Sequence, residues 1–177
     1  MIMHNKAQVW VETAIYTLIG LTIIAILLAT ITPQIDKMKD KSIISQSNDA
    51  LNTLDSKISE VSQIPGNTRI VEFKISKGRL EIDGSDSSIR YILEDTNLKF
   101  SEIGKEIQEG NIFVRTENHG NKYNIYLTMK YNNLNITFEG NNIVKILQAG
   151  STPYRLQIEN VGDNEPAQKT HLNFGLL

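Results

Sequence analysis

Glu12 is a carboxylate in a costly place. Behind it come 23 residues without a charge, Thr13 to Ile35, rich in Ile, Leu, Ala and Thr. As a helix this run is roughly 34 Å long, against a bilayer hydrocarbon core of about 30 Å. A carboxylate near the bilayer centre costs about 2.5 to 3.5 kcal/mol, and less at the interfacial edge. Glu12 therefore either faces water at that edge or has a counter-charge. Gln8 stands four positions earlier, on the same face of a helix.

Elsewhere the raw material for chemistry is scarce. There is no Cys, and the three His stand far apart at 4, 119 and 171. That excludes a disulfide framework, a thiol nucleophile and any Cys-based zinc or iron–sulfur site. No nucleophile elbow, P-loop, dinucleotide fingerprint, HExxH or EF-hand loop occurs in the sequence. The acidic runs Asp83 to Asp86 and Glu94-Asp95 lack calcium-loop spacing and read as solvated turns. Tyr123, Tyr126 and Tyr131 are of a type that stacks on sugars, although such residues more often pack a sheet. With 18 Lys and Arg against 20 Asp and Glu, the chain lacks the basic excess that holds a phosphate backbone. The sequence thus predicts no enzyme, no cofactor, no metal and no nucleic-acid partner.

What must position Glu12 is a helix. Pro33 near the end of the uncharged run bends it or marks its exit from lipid. Ala14, Gly20, Ala25 and Ala29 are small enough for helix backbones to approach closely. Beyond it, Ile43 or Ile44, Leu51, Leu54, Ile58 and Val61 recur at spacings of three and four, the mark of an amphipathic helix that Pro65-Gly66 ends. From Thr68 the period changes to two. Val71, Phe73 and Ile75, then Ile125, Leu127, Met129 and Tyr131, then Leu134, Ile136 and Phe138 alternate with polar residues, as half-buried strands do. Gly- and Asn-rich turns separate them, and further strands are predicted at about 79–83, 89–94, 111–117, 143–147 and 154–160. Ser101 to Glu109 has the composition of one short helix, Gly162 to Lys169 reads as loop, and His171 to Leu176 as a last strand. The fold class expected is α+β, a long N-terminal helix followed by an antiparallel β-sandwich head. One glycosylation sequon, Asn135-Ile136-Thr137, has both polar members on the face that alternation assigns to solvent.

The stretch Lys6-Ala7-Gln8-Val9-Trp10-Val11-Glu12, set at the lip of the apolar span, resembles the class III signal peptide of archaeal type IV pilins and pilin-like proteins. The resemblance covers about 30 residues. It implies a leader of residues 1–7 cut by prepilin peptidase after Lys6-Ala7, with Gln8 as the new N-terminus. Residues 8–35 are then a transmembrane and assembly helix, 36–64 an amphipathic stalk and 65–177 an extracellular head. Glu12 would pair with the free ammonium of Gln8 on a neighbouring subunit, setting the axial register between adjacent helices, and losing either partner would strand a desolvated charge. Cyclisation of Gln8 to pyroglutamate would erase that ammonium. Two features depart from the pattern. The leader carries one Lys and no Arg, and Lys37, Lys39 and Lys41, interleaved with Asp36 and Asp40, would by cation count place the far side of the span inside the cell. Pilin topology needs that side outside, and long domains translocate largely regardless of such charge. Tyr154 to Gly162 is similar to a late strand of extracellular β-sandwich heads, those of archaeal pilins included.

The function expected is therefore structural: a major or minor subunit of a pilus-like surface filament, held in the membrane as a precursor and then self-assembled with like or related pilins. The alternative is a permanently anchored β-sandwich binding protein or adhesin that does not polymerise.

Overall fold

The computed structural model describes the backbone of residues 3–164 and 169–177 and the side chains of residues 8–163 and 169–177. A single helix, α1 (Met3–Ser62), precedes ten strands: β1 (Thr68–Phe73), β2 (Arg79–Asp83), β3 (Ser88–Thr96), β4 (Glu106–Glu109), β5 (Ile112–His119), β6 (Lys122–Lys130), β7 (Leu134–Phe138), β8 (Val144–Gln148), β9 (Tyr154–Asn164) and β10 (Lys169–Leu176). The fold is α+β. By compactness the chain divides into two units, Met1–Lys39 and Asp40–Leu177, with the boundary inside α1.

In the first unit α1 carries no charge from Thr13 to Ile35, and Pro33 lies inside it without ending it. In the second unit the three-and-four spacing buries one face of the helix, and Ile44, Leu51, Leu54, Ile58 and Val61 are essentially inaccessible to solvent. The helix stops where its last carbonyls find side-chain donors. Asn160 Nδ2 donates to the Val61 carbonyl at 3.0 Å and to the Ser62 carbonyl at 3.2 Å. Gly66, at φ +78°, then turns the chain toward β1.

The strands form two sheets. One has the order β1-β9-β10-β7, the other β4-β5-β6-β3-β2-β8. All pairs are antiparallel except β10 with β7, which run parallel with Leu172 opposite Ile136. An antiparallel head was the expectation from short strands joined by hairpin turns; such turns speak only for strands consecutive in sequence, and β7 and β10 are not. Side chains from α1 and from both sheets share one buried cluster, including Leu54, Phe73, Leu80, Tyr91, Leu127, Leu156 and Phe174.

Three local expectations are corrected. Ser101 to Glu109 holds no helix; its second half is β4, joined to β5 by the two-residue turn Gly110-Asn111. Gly110 at φ +63° supplies the backbone conformation such a hairpin turn demands. β9 continues through Gly162 to Asn164 where a loop was expected, and residues 165–168 of that loop lie outside the described residues. Thr137 is buried rather than solvent-facing, because His171 Nε2 and Asn173 Oδ1 on the parallel neighbour β10 meet its hydroxyl at 2.8 and 3.1 Å.

Candidate functional site

The N-terminal part of α1 carries every residue that the sequence singles out for processing and assembly. Lys6 and Ala7 lie on its first turns by backbone, and their side chains are outside the described residues. Gln8 and Glu12 come together one turn apart, with Gln8 Nε2 donating to Glu12 Oε1 at 3.2 Å. After Glu12 the surface is lipid-like. Leu18, Leu21, Ile24, Leu27 and Leu28 are each more than half exposed. The hydroxyls along this stretch turn inward on the helix: Thr13, Thr17, Thr22 and Thr32 donate to the carbonyls of Val9, Thr13, Leu18 and Leu28 at 2.7 to 2.9 Å. A threonine so satisfied asks nothing of its surroundings, which suits a medium without water. Gly20 is open, with no atom near the position a Cβ would take. This helix is long and apolar enough to cross a membrane by length and composition.

At the start of the second unit, Asp40 is anchored in a way the sequence did not announce. Read as one of several charges flanking the span, it is buried; Lys77 Nζ donates to its Oδ1 at 2.6 Å and Thr96 Oγ1 to its Oδ2 at 2.5 Å. A second polar link joins α1 to the sheets, where Asp55 Oδ1 accepts from Tyr131 Oη at 2.7 Å and from Asn111 Nδ2 at 2.9 Å. Burial, together with the Asp55 carboxylate beside it, pushes the Tyr131 hydroxyl far above the ordinary tyrosine range. Tyr91, buried with its hydroxyl on the Lys77 carbonyl at 2.5 Å, is also raised by burial.

The face of the six-stranded sheet turned away from the core bears a charged ladder. Arg79 bridges Glu81 at 2.8 Å and also reaches Glu94, Arg90 reaches Glu81 at 3.3 Å, and Arg115 pairs with Glu117. Hydrogen bonds that Arg79 donates to the carboxylates of Glu81 and Glu94 raise its guanidinium above its ordinary value. Arg90, Arg115, Lys130, Tyr126 and Thr128 line a shallow cleft among these pairs. The three tyrosines do not meet as one patch: Tyr126 is on this face, whereas Tyr131 has its hydroxyl on α1. The histidines remain apart. His119 Nδ1 is 2.8 Å from Asp95, His171 is at Thr137, and the His4 side chain is outside the described residues. Among the described residues no group of His, Asp and Glu is arranged to hold a metal ion. Asn135, the sequon residue, is half-buried on β7. Comparison with protein families, curated proteins and solved structures finds no match to this chain.

Proposed function

We propose that this protein is a subunit, major or minor, of an archaeal type IV pilus-like filament. It is made as a membrane-inserted precursor, trimmed by prepilin peptidase before Gln8, and assembled through the helix that follows. One observation carries the reading: a full membrane's length of helix exposes apolar side chains on every side and holds a single carboxylate, Glu12, one turn from the proposed new N-terminus. Apolar surface of that extent has to be covered. The precursor covers it with lipid and the filament with the same helix of other copies. Small residues at 14, 20, 25 and 29 allow close approach, and Glu12 pairs with the ammonium of a neighbouring Gln8. The head, read as a β-sandwich, then faces outward, makes adhesive or lateral contacts, and carries glycan at Asn135 if the sequon is used.

A permanently anchored β-sandwich adhesin is favoured by one contact. The amide of Gln8 already satisfies Glu12 within a single helix, so a lone copy has no stranded acid. Glu12→Ala separates the two. In the filament reading the variant is expressed, inserted and folded, yet surface filaments labelled for this protein fall by at least tenfold in electron micrographs. Normal filaments from Glu12→Ala contradict the register argument.

A further inference from the structure

The head has a six-stranded sheet that ends in two edge strands, β4 and β8. Five antiparallel pairings run from β4 to β8, so the two open edges of the six-stranded sheet point in opposite directions. Two copies in the same orientation, side by side, therefore bring β8 of one against β4 of the next as an antiparallel pair with matching faces. The four-stranded sheet lacks this property. Its parallel β10–β7 pair leaves both edges running the same way, and β7 is closed by the turn before β3, where Ser87 Oγ accepts from the Ile136 N–H at 3.2 Å.

The β8 edge is unguarded. Edge strands usually carry charges, Pro or a bulge that discourage pairing. Here Ile143, Val144 and Ile146 are 47, 49 and 45 % exposed, and Lys145 is the one charge along β8. Ala149 donates to the Gly78 carbonyl, and Gly84 to that of Ile143, both at 3.1 Å. By alternation the backbone groups of Ile143, Lys145 and Leu147 face β2, and those of Val144 and Ile146 point to the open side. The tight turn at Gly110-Asn111 makes Glu109 face Ile112, so on β4 the groups of Gln108 point outward.

We infer that the heads of successive copies join edge to edge, β8 to β4, into one continuous antiparallel sheet, with a second copy of this chain as the partner. A single register satisfies every constraint. Setting Gln108 opposite Ile146 matches outward-pointing backbone with outward-pointing backbone. The same register places exposed Ile107 opposite Leu147 and Glu109 opposite Lys145, on the same side of the sheet. Glu109 and Lys145 have no ion-pair partner among the described residues. The contact is heterologous, so each copy keeps one edge free to add another until a ring closes.

The chain has no Cys, so introduced thiols report without background. Full-length protein with Gln108→Cys is mixed with full-length protein carrying Ile146→Cys, in detergent micelles and in membranes, and mildly oxidised. Hydrogen-bonded antiparallel neighbours have Cα atoms about 5.5 Å apart, within disulfide range. The expected result is a cross-linked dimer from the mixture, a ladder of multimers from the double variant, and at least tenfold less product from either variant alone. Glu109→Lys is expected to lower the yield about fivefold, and Glu109→Lys with Lys145→Glu to restore it. The pairing rests on the head alone, so a Glu12→Ala background that fails to build filaments leaves the ladder intact. Loss of the mixed cross-link in both backgrounds, or equal yields from the single variants, overturns it.

Discussion

One helix serves two opposite ends. From residue 40 to 62 its leucines and isoleucines vanish into the cluster beneath the strands, and Leu51 and Leu54 are 0 % exposed. From residue 8 to 39 the same residue types stand in the open, Leu28 at 61 %. Hydrophobic content therefore does not say what a helix is for; which atoms cover it does. The stretch from 40 to 62 is spent on folding the head, whereas the stretch from 8 to 39 keeps its apolar surface exposed.

The largest effect that would sharpen this contrast comes from trimming one leucine in each stretch. Leu54→Ala is expected to cost about 2 to 5 kcal/mol of head stability, read as a fall in the melting temperature of the β signal in circular dichroism of detergent-solubilised protein. Leu28→Ala is expected to leave that melting temperature unchanged. A common response would erase the division.

Asp40 is the next test, because it is where buried chemistry begins along the helix. Asp40→Asn removes the charge that Lys77 and Thr96 share, and about 1 to 3 kcal/mol should be lost in denaturant unfolding. The Lys77 side chain is 42 % exposed, so it falls back on water and the loss stays below that of a fully buried pair.

Smaller still at neutral pH is the effect of the Tyr131–Asp55 link, and its signature is alkaline. Tyr131 and Tyr91 ionise less readily in the folded head than the ordinary value near 10. Their contribution is fully present below about pH 10 and is lost as pH rises from there toward the raised folded-state values. Tyr131→Phe should cost about 1 kcal/mol at pH 7 and make the alkaline loss of stability shallower in melts taken at increasing pH above 9.

Much of this architecture was legible in the sequence because burial was periodic. The uncharged run and the three-and-four stripe mark α1, and alternation marks strands such as β1 and β6. β4 escaped because an edge strand exposed along all four residues, Glu-Ile-Gln-Glu, has no buried face to print a pattern. Asp40 escaped because its partners lie 37 and 56 residues away. Asn160 read as the polar end of a strand; only the folded chain brings its amide to the last carbonyls of α1. At the candidate site, the position of Glu12 beside an apolar span was visible at once. The edge-to-edge match of β4 and β8 was not, since it depends on the order of six strands.

Trimming and assembly are read together in the N-terminal peptide of protein recovered from its native host, identified by mass spectrometry. The expected chain begins at Gln8, as the free amine or its cyclised form, in material that pellets as filaments. A chain that retains the residues before Gln8 and stays with the membrane as a monomer would contradict the filament reading.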